Sequence, residues 1–295
     1  TRVTAIRETH ALVQVETSGP KLSCRFLVGA DGAVSRVARS LGLRSWGCLG
    51  STLEADVPLD GSNDLRSTYS DRAVFCFGVV SWGYAWVFPK GSHLSVGIAR
   101  FRPGRARLRA ALERQMNLLG IDLDGSAPLG HPVPCFQAPR WPLWSSRYQS
   151  RLTTDRCILV GDAAGLVDPL YGEGVRHALQ SARLAADAIS EGDLKGYEKA
   201  VWRHIGHPLS VAGKVADLFY RWPRLGYRLV LSNPQGVAEF VSLLAGQATY
   251  HGIGGRLLTP SLRRLGLGIG RTYQQQAGPV SLGRHHDGSD ATTNG

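Results

Sequence analysis

"ILVGDAAGLVDPLYGEGVRHALQSARLAADAI" occupies residues 158–189 and joins a short apolar run to a glycine-rich turn and a long helical pattern. Residues 158–160 predict a fully buried strand, because the run is apolar, bounded and too short for a helix. Gly161 lets the chain turn, and Asp162 follows where the strand gives way to a loop. In open α/β sheets ligands bind at the carboxyl ends of strands, so this turn predicts a ligand site.

The residues after Asp162 leave room for a ligand and then begin a helix. Pro169 stiffens the loop, and residues 172–174 open a helix that runs to about Ile189. The first N–H groups of such a helix lack intrahelical partners and suit electron-rich oxygens or a delocalised anion. The alternative is a tight strand-to-helix connection that only saves space.

This helix has an apolar face at helical spacing, which is the face expected to be buried. Its members are Ala178, Leu179, Ala182, Ala185, Ala186 and Ile189.

A second stretch, "FLVGADGAVSRVAR" at residues 26–39, has the same organisation. A buried strand is followed by a turn with Gly29, Asp31 and Gly32, and residues 33–41 predict a short helix. Arg36, in the first turn of that helix, can reach a phosphate or pair with Asp31, and its position allows both.

Composition narrows the class of protein. The chain has 295 residues, 43% of them apolar, which is enough for one large or two smaller domains. The formal net charge is +11, but the arginines are scattered, which indicates a generally basic surface and no nucleic-acid partner. The cysteines, five in all, show no CxxC spacing, which argues against zinc or a disulfide framework and favours a reducing cytoplasm. No apolar run is long enough to predict a membrane-spanning helix or a signal peptide.

Along the rest of the chain the pattern alternates between strand and helix. Residues 46–100 are strand-rich, and residues 105–120 predict an amphipathic helix. Residues 121–150 are rich in proline, which predicts a connecting excursion of the chain, that is, a connecting segment with little regular structure. From Lys195 to about Leu267 the pattern is helical. The breaks predicted in it are Pro208, Pro223, Pro234 and Pro260.

An aromatic row lies in "GYAWVFPKGSHLSVGIA", residues 83–99. With the period of a strand, Tyr84, Trp86 and Phe88 share one face, while the residues between them point the other way. Ending at Pro89, this row is suited to wall a long apolar cavity, but its residues alone favour an ordinary aromatic core face.

These stretches carry a resemblance. "GADGAVSRVAR" and "VGDAAGLVDPLYGEG" resemble the DG and GD motifs of the para-hydroxybenzoate-hydroxylase-like FAD-dependent oxidoreductases, in the same order and separation. The row at residues 83–99 resembles the Tyr-x-Trp-x-Phe-Pro signature of the geranylgeranyl reductase family. The resemblance implies a mixed α/β (α+β) fold with an FAD-binding domain, an antiparallel substrate-domain sheet and a helical C-terminal part.

The resemblance also implies a cofactor, FAD, and the residues around it. Asp162 is implied to bond the ribityl chain, with Gly172 and Gly174 facing the pyrimidine edge of the flavin. The full set of implied cofactor positions is Gly29, Asp31, Gly32, Arg36, Gly161, Asp162, Ala163, Gly165, Pro169, Gly172, Glu173 and Gly174. The implied substrate-cavity residues are Tyr84, Trp86, Phe88 and Pro89.

The implied activity is the saturation of C=C bonds in a small-molecule prenyl substrate by hydride transfer from reduced flavin. A flavin monooxygenase or halogenase that uses O₂ is an alternative on the same fold, and a fragment unable to hold FAD alone is another. The sequence leaves open the reductant, NAD(P)H or ferredoxin, the oligomeric state and the proton donor. Glu173 lies near the right place for a donor by its position in the motif, but a glutamate at a helix N-terminus is often just a partner of the helix dipole.

The GxGxxG turn with which this group normally begins has no match, since "GIGG" at 252–255 and "GLGIG" at 266–270 both depart from it. We therefore expect a chain without that N-terminal unit. The expected organisation is 1–45 as part of the FAD-binding domain, 46–150 as the substrate domain, 151–192 as the return of the FAD-binding domain, 193–280 as a helical region and 281–295 as a disordered tail.

The C-terminal helical pattern carries basic residues between leucines and tryptophans. They are Arg221, Arg224, Arg228, Arg256, Arg263 and Arg264. This pattern fits a basic solvated surface, and it also fits peripheral contact with the inner face of an anionic membrane.

Overall fold

A computed structural model describes residues 1–43, 47–59, 63–104, 107–123, 129–136, 151–227 and 234–250. The expectations for the 281–295 tail and for the later C-terminal residues lie outside this part of the chain. Those later residues are Arg228, Arg256, Pro260, Arg263 and Arg264.

The described strands and helices alternate in the mixed α/β manner that the sequence predicts. The strands are β1 (Val3–Glu8), β2 (Val13–Thr17), β3 (Leu22–Cys24), β4 (Leu27–Gly29), β5 (Gly47–Pro58), β6 (Val74–Phe77), β7 (Gly83–Pro89), β8 (His93–Arg100), β9 (Leu129–Phe136) and β10 (Cys157–Leu159). The helices are α1 (Arg36–Ser40), α2 (Asn63–Tyr69), α3 (Leu108–Leu118), α4 (Val175–Glu191), α5 (Leu194–Val201), α6 (His207–Arg221), α7 (Pro223–Gly226) and α8 (Pro234–Leu244).

Three sheets form from these strands. β1, β2 and β3 make an antiparallel meander, and β4 pairs in parallel with β10. The largest sheet has the order β6-β7-β8-β5-β9, with every pair antiparallel. The β4–β10 pair brings residues 27–29 beside residues 157–159, and it therefore brings the two glycine-rich turns to one edge.

Alternate side chains of β7 point to opposite faces of the sheet, as the period of a strand requires. Tyr84 and Trp86 pack on one face against loop residues 167–171 and helices α6 and α8. Ala85 and Val87 pack on the other face in a cluster that includes residues of α3. The shared face of the aromatic row is thus as predicted.

One expectation for residues 121–150 is wrong. Residues 129–136 form β9, which pairs with β5 from Gly47↔Phe136 to Glu54↔Leu129, where the sequence predicted only a connecting excursion. Pro132 and Pro134 suggested irregular chain, but β9 is the edge strand of its sheet. On an edge strand, a proline is tolerated where its nitrogen faces away from the neighbouring strand, because no hydrogen bond is lost there.

The predicted break at Pro208 is also wrong. The chain stays helical from α5 into α6 through a π-helical turn at Trp202–Gly206, where the N–H of His207 donates to the carbonyl of Trp202. Pro208 stands in the first turn of α6, directly after this wider turn, and a proline is tolerated in the first turn of a helix. Pro223 and Pro234 begin α7 and α8, in the first-turn position that proline tolerates. None of the described helices combines the length and the apolar character needed to cross a bilayer.

The buried face of α4 differs from the predicted one. The structure buries His177, Ser181, Ala185 and Ala188, while Leu179 is 70% exposed. Ser181 can occupy this face because its hydroxyl has partners: it accepts from the N–H of Gly161 at 3.0 Å and donates to the Ala178 carbonyl at 3.0 Å. A pattern read from apolar residues alone misses such a face.

Candidate functional site

The two glycine-rich turns leave the sheet side by side. Leu159 of β10 stands opposite Gly29 of β4, and the N–H of Val160 donates to the Gly29 carbonyl at 3.0 Å. A Cβ at Gly29 would lie 2.8 Å from the Leu159 side chain and 2.9 Å from that of Val37. Glycine is therefore required where β4, β10 and α1 approach one another.

Asp31 organises the first turn. Its carboxylate accepts from the Ser35 hydroxyl at 2.6 Å and from the N–H groups of Arg36 and Val37 at 2.6 and 3.1 Å. Burial raises the pKa of Asp31, but these hydrogen bonds outweigh it and hold the pKa below its usual value. Asp31 thus supports the start of α1, beside the left-handed turn at Gly32 with φ of +78°.

In the described part of the chain, the guanidinium of Arg36 makes no ion pair with Asp31. The two residues are joined instead by the hydrogen bond from the backbone N–H of Arg36 to the Asp31 carboxylate. Of the two alternatives for Arg36, the structural pair with Asp31 is not formed. Its use toward a phosphate stays a proposal.

Asp162 stands in the second turn, the 3₁₀ segment Gly161–Ala164, which begins with a φ of +54° at Gly161 and closes with 72° at Gly165. The Asp162 side chain is half-buried, and burial raises its pKa. Among the described residues this carboxylate has no hydrogen-bond or ion-pair partner. A carboxylate withdrawn from water without a donor is unfavourable, so its setting fits a ligand that supplies hydroxyl groups.

Gly174 makes room for that carboxylate at the start of α4. A Cβ at Gly174 would lie 3.1 Å from Val167 and 3.2 Å from Oδ1 of Asp162. The Asp162 oxygen and the first turn of α4 therefore lie side by side, and a ligand bonded to the carboxylate also meets the positive end of the helix.

The carboxylate of Glu173 is already in contact with residues in the first turn of α4. Its Oε1 accepts from the N–H of Arg176 at 2.6 Å, and its Oε2 lies 3.4 Å from the Arg176 guanidinium and 3.5 Å from Nδ1 of His177. Burial lowers the pKa of His177 despite this carboxylate, which favours a neutral ring. Of the two roles considered for Glu173, proton donor and partner of the helix, these contacts support the second.

The chain between Asp168 and Gly172, called the 168–172 loop below, is held from outside by tyrosine hydroxyls of three distant segments. The bonds are Tyr84 Oη to the Tyr171 carbonyl at 2.6 Å, Tyr220 Oη to the Leu170 carbonyl at 2.5 Å, and Tyr250 Oη to Oδ2 of Asp168 at 2.7 Å. Pro169, in the same loop, lies against α6, where a Cβ at Gly213 would be 3.9 Å from its ring. The loop that precedes α4 is therefore fixed by β7, α6 and the chain after α8.

Asp168, Tyr220 and Tyr250 were not among the predicted site residues. Each acts across 50 or 82 positions of sequence. The one signal in the sequence was a charged residue, Asp168, inside an apolar and glycine-rich run.

The aromatic row is closely packed. Tyr84 lies 6.1 Å from Trp86 and Trp86 lies 6.0 Å from Phe88, between ring centroids. Helices α6 and α8 cover the row through Phe219 and Phe240, which contact the neighbouring strand β6. The row thus lies between the sheet and these helices and is tied to the 168–172 loop through Tyr84.

Gly172 offers a direct test of the packing at this loop. Its φ is +79°, and a Cβ would lie 2.8 Å from the ring of Phe101, whereas Gly192 has a φ of +72° with nothing within 4 Å. We expect Gly192→Ala to cost about 1 kcal/mol through backbone strain alone, and Gly172→Ala about 1 kcal/mol more through overlap with the ring. Urea denaturation measures both, and equal losses in the two variants would refute the close packing.

A model of the family described as FAD binding domain matches residues 3–192. That stretch contains both glycine-rich turns, the aromatic row and α4 up to its C-cap.

Curated relatives agree with this match. The chain is 29% identical over 211 residues to a geranylgeranyl diphosphate reductase of Synechocystis, covering 66% of this chain and 48% of the relative. It is 31% identical over 221 residues to a menaquinone reductase of Mycobacterium tuberculosis, covering 70% and 51%. A digeranylgeranylglycerophospholipid reductase of Methanothrix thermoacetophila is 30% identical over 218 residues, covering 66% and 50%. The chain therefore spans about half the length of the curated relatives it matches.

Solved structures share the fold. A geranylgeranyl bacteriochlorophyll reductase-like protein of Thermoplasma acidophilum superposes with a TM-score of 0.53 at 23% identity, covering 72% of this chain and 57% of that one. Klebsiella pneumoniae HpxO, solved with FAD and uric acid, gives 0.52 at 19% identity, covering 77% and 61%. These similarities identify the fold as the FAD-binding, para-hydroxybenzoate-hydroxylase-like one.

Proposed function

The chain belongs to the geranylgeranyl-reductase-like family of FAD-dependent oxidoreductases, and from this premise we propose that it serves to saturate C=C bonds of a prenyl chain. FAD is its cofactor, and when bound and reduced it supplies the hydride for such a bond. The observation that carries the proposal is the bond of 2.6 Å between the Tyr84 hydroxyl and the Tyr171 carbonyl. It joins the aromatic row directly to the loop that leads into the flavin-facing helix.

Each group of residues has a separate task in this proposal. Asp162 would accept hydrogen bonds from the ribityl hydroxyls of bound FAD, and Gly174 leaves the space beside Oδ1 free of a side chain. The N-terminus of α4 would face the pyrimidine edge of bound flavin and would stabilise negative charge there. The glycine at 29 and the turn built on Asp31 hold β4 and α1 in place beside this site.

The aromatic row forms the substrate side of the site. Tyr84, Trp86 and Phe88 present apolar ring faces that suit an isoprenoid and exclude water from the reacting carbons. Two relatives have geranylgeranyl compounds in their names, which supports a prenyl compound as the substrate class. The described helices α6 and α8 pack against the same face of the row.

Trp86 is the residue through which this proposal is tested. Its Nε1 donates to the Ser95 hydroxyl at 3.2 Å, and Ser95 donates to Glu54 at 2.6 Å, so the ring is held in one orientation over Gly97. We expect Trp86→Phe to lower kcat/KM for geranylgeranyl diphosphate about fivefold, because a smaller ring leaves the chain poorly oriented. FAD affinity should stay within about twofold of the parent, since no flavin contact is altered.

The assay uses the 295-residue chain with FAD and dithionite under anaerobic conditions, with mass spectrometry to count saturated bonds. Trp222→Phe is the matched control, because Trp222 is 54% exposed and lies outside the row. Equal kinetics in the two variants would mean that Trp86 only packs in the core and does not contact the substrate. Turnover that appears only when O₂ is admitted to the same assay would favour a monooxygenase or halogenase reaction and overturn the proposed reduction.

A further inference from the structure

Asp168 is a fully buried carboxylate with no compensating cation. Its exposure is 0%, and in the described part of the chain no lysine, arginine or histidine pairs with it. The charged or titratable groups that face it are Glu173, Tyr171 and Tyr250. Such a charge is unfavourable to the fold, so its presence inside the 168–172 loop calls for a reason beyond packing.

The Asp168 side chain closes the loop around itself. Oδ1 accepts from the N–H groups of Leu170 and Tyr171 at 2.7 and 3.3 Å. The backbone closes the same turn, because the N–H of Asp168 donates to the Glu173 carbonyl at 2.8 Å and the N–H of Gly172 donates to the Asp168 carbonyl at 3.0 Å. The turn ends where α4 begins, so the position of Asp168 sets the position of the helix start.

The other carboxylate oxygen ties this turn to a remote part of the chain. Oδ2 accepts from the Tyr250 hydroxyl at 2.7 Å, and Tyr250 is itself buried, with 7% exposure. A hydrogen bond to an ionised acceptor is about twice as strong as one between neutral groups. The acceptors of the Tyr84 and Tyr220 hydroxyls in the loop are neutral carbonyls, so the bond from Tyr250 is the one of the three that is charge-assisted.

We propose that Asp168 is a positioning residue of the flavin site and that Tyr250 secures it: the pair fixes the 168–172 loop so that the first turn of α4 is set for the flavin before the flavin arrives. The inference rests on the proposed flavin site. It adds that the buried charge is retained for preorganisation of this site at the expense of stability. A loop ordered in advance binds its ligand more tightly, because less conformational entropy is lost on binding.

The charge makes a structural role and a positioning role distinguishable. If Asp168 served the fold alone, Asp168→Asn would bind FAD as well as the parent, because it removes an unfavourable charge and keeps Oδ1 as an acceptor. If Asp168 positions the loop, the same variant becomes more stable and binds FAD more weakly. The amide offers N–H groups in place of the charged acceptor, so the Tyr250 hydroxyl loses its charge-assisted hydrogen bond and keeps at most a neutral one.

The experiment is an FAD titration at pH 8, followed by flavin fluorescence, with urea denaturation of the same samples without FAD. We expect Asp168→Asn and Tyr250→Phe to weaken FAD binding about fivefold to tenfold, less than the tenfold or more that loss of a charge-assisted hydrogen bond to the ligand itself would cause, because this bond acts on the loop and not on FAD. Asp168→Asn should unfold at higher urea than the parent and Tyr250→Phe at lower urea. Tyr69→Phe is the control, since its buried hydroxyl donates to the Leu119 carbonyl at 2.8 Å, away from the loop. It should lose stability and keep its FAD affinity within about twofold.

The inference is overturned if Asp168→Asn binds FAD like the parent, or if Tyr69→Phe loses as much FAD affinity as Tyr250→Phe. A parent chain that binds FAD without reducing prenyl substrates would overturn the proposed reaction alone and leave the positioning role standing. A parent that binds no FAD would overturn the assignment of the flavin site and the positioning role together.

Discussion

Asp162→Ala lowers the affinity of the chain for FAD about fiftyfold, the largest effect that we expect from a single substitution in the site. The Asp162 carboxylate is half-buried and has no partner among the described residues, and burial raises its pKa. Its hydrogen-bonding capacity is therefore available to ligand hydroxyls, and hydrogen bonds to a charged group contribute about 1.5 to 3 kcal/mol. Losing them corresponds to a tenfold to hundredfold change in Kd.

The measurement is a fluorescence titration of FAD, with Asp155→Ala as the matched control. Asp155 is exposed and lies two residues before β10, so the same substitution there should leave the Kd unchanged. Without FAD, Asp162→Ala should be no less stable than the parent, because it removes an unpaired carboxylate. If the variant binds FAD as tightly as the parent, Asp162 is not the ribityl-binding residue.

Asp168→Asn raises the free energy of unfolding by about 2 to 3 kcal/mol at pH 8, and this gain depends on pH. Burial raises the pKa of Asp168 from 3.8 to about 6, against hydrogen bonds from Tyr250, Leu170 and Tyr171 that lower it. The folded state therefore holds the proton more tightly than the unfolded state. As the pH rises through the interval between these two pKa values, the ionised carboxylate destabilises the fold, by about 1.4 kcal/mol per unit of pKa difference.

The sign follows from the direction of the shift. Below about pH 4 both states are protonated and the substitution gains little, whereas above about pH 6 both are ionised and it gains the full amount. Urea denaturation at pH 8 and at pH 5 should show a gain that is about halved at the lower pH. Asp187→Asn, at an exposed position of α4, should show no pH-dependent gain. A gain for Asp168→Asn that is equal at both pH values would mean that Asp168 does not carry a buried charge.

The local parts of the site could be predicted from the sequence. The strand, the turn at Asp162 and the helix after Gly174 follow from a short apolar run, glycine at a left-handed position and a helical period, all within one stretch of chain. The common face of Tyr84 and Trp86 follows from the period of a strand. These properties depend on neighbouring residues, so composition and spacing were sufficient.

The remaining parts depend on contacts between distant residues. The bond from Tyr250 to Asp168 spans 82 positions and the bond from Tyr84 to Tyr171 spans 87, and no local pattern marks either one. The buried face of α4 was misassigned because Ser181 is buried through its hydrogen bonds and not through hydrophobicity. The strand β9 was missed because Pro132 indicated irregular chain. A proline is compatible with an edge strand, but only the strand order of the folded sheet shows that β9 lies at an edge.

The central claim is that the turns at residues 29–36 and 161–174 form a site for the ribityl and isoalloxazine half of FAD. The most direct test is a titration of the 295-residue chain with FAD and, in competition, with riboflavin, read by flavin fluorescence and by the shape of the visible absorption band. We predict saturable binding of both ligands at one site, with Asp162→Ala weakening both by the same factor. Failure of both ligands to bind, or binding that is unaffected by Asp162→Ala, would contradict the account.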